Sequence, residues 1–256
     1  MSKSKYITGL RAVEQLMAAG SEGVQQLYAE YQTANPRVQA LIKQARDAGI
    51  EIHAANRARL TQISGETRHQ GVVAEVRRST VMDEGALRTL VEEGLQEERT
   101  LLLLVLDGVQ DPHNLGACMR TADAAGVDAV VVPRHGAASL GPTVSKVAAG
   151  AAEQLPFAQV ANIGRVLNWL KDYGVRCIGT SDKADSSLFE ADLTGSIALL
   201  MGREHTGLAK GIASRCDTLV SLPMKGAVSS LNVSVATGIC LYEIVRQQGA
   251  QGSTGP

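Results

Sequence analysis

The chain has 256 residues, 45% of them hydrophobic and 20% charged, with a formal net charge of −1, which is enough for one large domain or two ordinary ones. No apolar run reaches the roughly 18 residues needed to cross a bilayer, and the start MSKSKYITGL lacks the hydrophobic stretch of a secretory signal, so a cytoplasmic protein without a membrane segment is expected. Cys118, Cys177, Cys216 and Cys240 are far apart and form no metal-type pair, which points to reduced, mostly buried thiols and to neither zinc nor disulfides.

Residues 1 to 80 carry 11 Lys or Arg against 7 Asp or Glu, and the rest of the chain 14 against 19, so a basic N-terminal module stands beside a more acidic one. Thr8 to Ala19 reads as an amphipathic helix, followed by a strand at Val24 to Tyr28. Asn35 and Pro36 open a helix through VQALIKQARDA, which Gly49 closes ahead of the strand IEIHAA. A short helix at Arg57 to Ile63 precedes GVVAEVR, which alternates like a strand. Together these make a small α/β domain over residues 1–78.

STVMDEG reads as a linker and LRTLVEEGLQEER as an acidic amphipathic helix, so residues 79–99 form a connection. TLLLLVL is then a continuous apolar run, the mark of a strand buried on both faces, and DAVVVP, VRCIGT, SIALLM and TLVSLP repeat it with helical stretches between most of them. The expected architecture is α/β, a parallel sheet covered by helices over residues 100–246. The end, residues 247–256, is too poor in apolar side chains to pack and is expected to be disordered.

Ligands of open parallel sheets bind at the carboxyl ends of the strands, so the loops after the apolar runs are where chemistry is expected. After TLLLLVL comes DGVQDPHNLGACMRTADAAG. Asn114 there stands before a helix and either caps it or serves a ligand. Arg120 is the basic side chain of a helix built from small residues, and it either grips a phosphate with two parallel bonds or pairs with Asp123. After SIALLM, Gly202 and Gly207 bracket Glu204, as a backbone turning sharply around a ligand requires, or as a surface turn does. His205 has no second ligand at a metal-type spacing.

After TLVSLP, residues 226 to 242 hold no charged side chain, although Leu231, Val235, Gly238, Ile239 and Tyr242 recur as a helical stripe. A charge-free helix is enclosed by protein or sits in a subunit interface. Ser229 or Ser230 caps it, or a ligand meets its polar groups. Asn232 lies too far in to cap and can offer two donors and an acceptor. No G-x-G-x-x-G follows any strand, which argues against a dinucleotide site and a nucleotide-hydrolase phosphate loop.

Taken together, the three stretches resemble the three signature motifs of the SpoU (TrmH-type, SPOUT superfamily) RNA 2′-O-ribose methyltransferases. The matching residues are Asn114, Gly116 and Arg120, then Gly202, Glu204 and Gly207, then Leu222, Pro223, Met224, Gly226, Ser230, Leu231 and Asn232. VSKVAAGAAEQLP, HQGVVAEV and SSLNVSVATGICLYEIVRQ look like the branch that modifies a guanosine in the peptidyl-transferase loop of bacterial 23S ribosomal RNA, with an N-terminal RNA-binding domain similar to small ribosomal proteins. A transfer-RNA 2′-O-methyltransferase and a non-catalytic ribosome-assembly protein are the alternatives.

The resemblance implies a deep trefoil knot, an exception to the rule against threaded chains, and a homodimer formed through the knotted domain. It implies S-adenosyl-L-methionine as cofactor, held around Gly202, Leu222 and Leu231 with Thr180 as a further contact, and no metal. Arg120, a fixed cation, would bind the phosphate beside the target ribose and orient the hydroxyl, or act as the base. Glu204 would position Arg120 or accept the proton, and Asn114, Ser230 and Asn232 would complete the hydrogen-bonding shell. Arg37, Arg57, Arg59 and Arg68 are the expected phosphate contacts of the N-terminal domain, and 23S RNA or a large-subunit assembly intermediate is the expected partner.

Overall fold

A computed structural model describes residues 5–19, 24–30, 33–76, 81–203 and 206–252. The chain forms two compact units, Met1–Ser79 and Thr80–Pro256.

The first unit runs β1 (Lys5–Thr8), α1 (Leu10–Ala19), β2 (Val24–Glu30), α2 (Pro36–Asp47), β3 (Glu51–Ala55), α3 (Arg57–Ser64) and β4 (Val72–Val76). Its sheet has the order β1-β4-β2-β3, with β2 parallel to β3 and β4 antiparallel to both its neighbours. Strand alternation sends successive side chains to opposite faces. Val72, Ala74 and Val76 therefore pack with Val13, Leu16, Val38 and Leu41 of α1 and α2, and Val73 packs with Leu60 of α3 on the other face. Asn35 and Asn56 accept from Arg37 N at 3.0 Å and Arg59 N at 2.8 Å, so both helices begin where side-chain caps place them. Thr8 belongs to β1 and not to the first helix, because Gly9 at φ +95° turns the chain.

The second unit continues with α4 (Glu84–Gln96), β5 (Leu102–Leu106), α5 (Pro112–Ala124), β6 (Ala129–Pro133), α6 (Pro142–Ala148), α7 (Ala151–Gln154), β7 (Phe157–Val160) and α8 (Ile163–Asp172). It ends with β8 (Arg176–Thr180), β9 (Ser186–Ser187), β10 (Ile197–Met201), α9 (Lys210–Ala213), β11 (Thr218–Ser221) and α10 (Val233–Gly252). The sheet order is β7-β6-β5-β10-β8-β11-β9, and every pairing is parallel. In β5, Leu102, Leu104 and Leu106 pack beneath α5 and α10, and Leu103 and Val105 join Leu101 beneath α4 and α8. Each fully buried aliphatic side chain contributes about 1.5 to 3 kcal/mol, so a strand that is apolar throughout belongs at this centre.

From β5 the chain winds outward through β6 and β7, then crosses to β8 and inserts β10 between β8 and β5. The winding reverses at β5 and β10, and their carboxyl ends, with that of β8, bound the crevice where such sheets bind ligands.

Three expectations about helices change here. Asp111, not Asn114, caps α5, its Oδ1 accepting from His113 N at 2.8 Å with Pro112 in the first turn, so Asn114 lies inside the helix. Asn232 does cap α10, because that helix starts at Val233 and not near Ser229: Oδ1 of Asn232 accepts from Ser234 N at 2.9 Å and from Ser234 Oγ at 2.6 Å. Finally, α10 continues to Gly252, into the segment expected to be disordered.

Candidate active site

Thr180, Gly202, Leu222 and Leu231, the four expected cofactor contacts, line one cavity of about 730 Å³ together with Ser230. The fold brings them together from the ends of three strands. Thr180 ends β8 and donates to Leu200 O at 3.1 Å. Gly202 follows β10, and Leu222 opens the irregular segment from β11 to α10 that carries Ser230 and Leu231.

Gly202 is small for a reason other than ligand clearance. A Cβ there would lie 2.1 Å from Gly207 C and 2.2 Å from Leu208 N, so the loop's own backbone fills that space. Arg203 N donates to Gly207 O at 3.1 Å and Gly207 N to Arg203 O at 2.9 Å, which closes the loop, and Gly207 supplies the left-handed φ of +64°. Asp107 Oδ2 accepts from Ala209 N at 2.9 Å and ties this loop to the end of β5. Glu204 and His205 lie outside the described residues.

Asn114 and Asn232 meet directly: Asn232 Nδ2 donates to Asn114 Oδ1 at 3.0 Å. A second cavity of about 340 Å³ adjoins this pair, lined by Asn114 and by Arg203, Thr206 and Val233, three residues it shares with the first. Arg120 lies apart. It is exposed on α5 and lines neither cavity, and among the described residues it has no ion pair, with Asp123 or any other. Sequence reasoning missed Ser181, Asp182, Lys183, Arg203 and Thr206, all of which line the larger cavity. Their positions directly after β8 and β10 were the available signal.

Ser234 and Thr237 of α10 find partners within the protein. Thr237 is fully buried and donates Oγ1 to Val233 O at 2.7 Å, as a hydroxyl bonded back to the preceding turn does. The helix buries Val233, Cys240, Leu241 and Ile244 in the core, while Val235, Ile239 and Tyr242 are 51%, 37% and 53% exposed. The stripe read from the sequence is thus the outward one. Burial pushes the Cys177, Cys216 and Cys240 thiols up to about 12, so none of them is a thiolate nucleophile at neutral pH. Among the described residues no cluster of three or more His, Cys, Asp or Glu is placed to hold a metal ion, and no helix is long and apolar enough to cross a membrane.

In the first unit, the carboxyl ends of β1, β2 and β3 and the start of β4 share one edge of the sheet. Arg37, Arg57, Arg59 and Arg68 all belong to the loops and helix starts at that edge. Arg37 is held by Glu14, Nε to Oε1 at 3.1 Å and Nη2 to Oε2 at 2.5 Å. Arg57 stands 3.9 Å from Glu30, Arg59 Nη1 donates to Gln62 Oε1 at 2.9 Å, and Arg68 is exposed.

A parallel sheet whose carboxyl edge gathers these three loops has the α/β architecture that binds a ligand at its strand ends. The chain belongs to the SpoU rRNA methylase family, whose model matches residues 101–242; residues 6–82 match a model described as RNA 2′-O ribose methyltransferase substrate binding. Among curated proteins, the 23S rRNA (guanosine-2′-O-)-methyltransferase RlmB of Coxiella burnetii is 44% identical, over 98% of this chain and 98% of that protein. The RlmB of Pseudomonas aeruginosa is 47% identical, over 97% and 98%. Among solved structures, the SpoU methyltransferase AviRb of Streptomyces viridochromogenes in complex with AdoMet superposes with a TM-score of 0.69, at 26% identity, over 99% of this chain and 92% of that one.

Proposed function

We propose that the protein is an S-adenosylmethionine-dependent enzyme that methylates the ribose 2′-hydroxyl of a guanosine in the peptidyl-transferase loop of 23S ribosomal RNA. The observation that carries this reading is the cavity where the loops after β8, β10 and β11 meet beside the Asn114–Asn232 pair, in a chain of this family. Its volume falls within the roughly 300 to 1,000 Å³ of small-molecule sites. Its wall suits the cofactor, with Met201, Leu222 and Leu231 offering apolar surface to a base and Asp182, Ser181 and Ser230 offering polar groups.

Bound there, the cofactor supplies a methyl group on a positively charged sulfur, open to in-line displacement. The protein's tasks are then alignment and removal of a proton from a weak nucleophile. In this reading Thr180, Gly202, Leu222 and Leu231 hold the cofactor, and Asn114, Asn232 and Ser230 orient the ribose. Arg120 binds the adjacent phosphate, and Glu204 positions Arg120 or accepts the proton. The basic edge of the N-terminal unit, with Arg37, Arg57, Arg59 and Arg68, contacts RNA phosphates.

The reading includes a cytoplasmic homodimer, free of metal, whose methyltransferase domain carries the trefoil knot. The exposed Val235, Ile239 and Tyr242 support an interface on α10, and Arg120, turned to solvent in one chain, would meet the RNA beside it. Residues 1–78, 79–99 and 100–246 serve as RNA-binding domain, connection and catalytic domain.

The test is transfer of labelled methyl from S-adenosylmethionine to unmodified 23S RNA and, in parallel, to unmodified transfer RNA, with mapping of the modified ribose. One 2′-O-methylguanosine in the peptidyl-transferase loop is expected. Label confined to transfer RNA would overturn the substrate, and no label in either, with cofactor bound, would overturn the activity.

A further inference from the structure

The smaller cavity, about 340 Å³, opens beside the cofactor cavity and shares Arg203, Thr206 and Val233 with it. Its other wall comes from the segment after β5, including Gly108, Gln110 and Asp111. We propose that this cavity receives the guanine base of the target nucleotide and that Asp111 is the side chain that selects guanine.

The inference rests on the methyltransferase reading given above. A ribose hydroxyl presented to a methyl donor in the first cavity must lie where the two cavities join. Its base, one glycosidic bond away, then falls in the second. At this volume the second cavity lies within the range of small-molecule sites and admits a purine.

The wall matches guanine in hydrogen-bonding sense. Guanine offers N1–H and N2–H as adjacent donors, with O6 and N7 as acceptors. Asp111 caps α5 through Oδ1, which fixes its carboxylate at the rim, and Oδ2 has no partner among the described residues. An ionised carboxylate is an acceptor only, so it takes the N1–H and N2–H edge. Arg203 lines the same cavity from the loop after β10. Its guanidinium lies close over Gly108, where a Cβ would come within 2.5 Å of Nε, and its fork suits O6 and N7. Adenine would set the N1 lone pair against the carboxylate and its amino group against the guanidinium.

The test compares full-length wild-type protein with Asp111→Asn on 23S RNA fragments that carry guanosine or inosine at the mapped target, with labelled S-adenosylmethionine. Inosine lacks only the 2-amino group. Asparagine keeps the helix cap but replaces one acceptor with a donor. Wild-type kcat/KM should favour guanosine by at least about tenfold. Asp111→Asn should bring that ratio close to one, with cofactor affinity and Tm unchanged. An unchanged ratio in the variant would overturn the base pocket while leaving the methyltransferase reading intact, as would equal loss of cofactor binding and of activity on both RNAs. Wild-type protein that methylates no guanosine would overturn both.

Discussion

Asn232 faces two ways: its Oδ1 caps α10 through Ser234 and its Nδ2 donates to Asn114 Oδ1 at 3.0 Å on α5. One side chain thus fixes where the last helix begins and links two of the family's motifs across the sheet end. An exposed amide used in this way serves fold and site together, and the two roles are separable by substitution.

Asn232→Ser keeps a capping oxygen but is too short to reach Asn114, whereas Asn232→Ala loses both. A lost cap costs about 1 kcal/mol, or about 2 to 4 °C for a unit of this size. Thermal melts should place the serine variant near wild type and the alanine variant lower by that amount. Methyl transfer should fall in both, and a serine variant with full activity would show that the contact with Asn114 is dispensable.

Gly202 and Gly207 face different constraints. At Gly202 an added Cβ would collide with backbone at 2.1 Å, so Gly202→Ala must open the loop. At Gly207 the space is clear and only the φ of +64° is unfavourable, a cost of about 1 to 2 kcal/mol. Calorimetric titration with S-adenosylmethionine should show binding lost in Gly202→Ala and weakened less than tenfold in Gly207→Ala.

Much of this was legible in the sequence because the central strands are apolar on both faces: no other environment suits LLLVL or IALLM. The short strands β1, β7 and β9 were not, since so few residues carry little periodicity, and β11, equally short, was found only because TLVSLP extends its apolar run. The sequence placed Asn114 before the helix, whereas Asp111 and Pro112, three and two residues earlier, are the stronger cap and first-turn pair. In α10 both faces are apolar, so periodicity finds a stripe without telling which side is core. Thr180, Gly202, Leu222 and Leu231, which line the larger cavity, were named from motif resemblance. Arg203 and Thr206 were not, because loop closure and not residue type brings them to the cavities.

Glu243 gives α10 a pH-dependent anchor. Hydrogen bonds from Arg246 at 2.7 and 2.8 Å, and next from Gln247 at 2.8 Å, hold its carboxyl at about 2, below its ordinary 4.5. A carboxyl depressed on folding stabilises the protein above its unfolded pKa, and that contribution is lost as pH falls from about 4.5 towards 2. Melting curves of wild type and Glu243→Gln should differ most at neutral pH and converge across that window. A gap independent of pH would mean that the carboxylate's charge is not what anchors the helix.

The outward stripe of α10 makes the last prediction. Val235, Ile239 and Tyr242 recur at spacings of four and three and leave one face of a long helix apolar and exposed, a cost in water that a second copy of the chain would remove. The opposite face, with Cys240, Leu241 and Ile244 in the core, holds the helix in place independently, so charge can be added outside without unfolding it. Ile239→Asp should therefore keep the wild-type circular dichroism while light scattering reports a halved mass at micromolar concentration. Wild-type protein that already scatters as a monomer would remove the interface. A variant that stays dimeric would place the contact elsewhere on the unit.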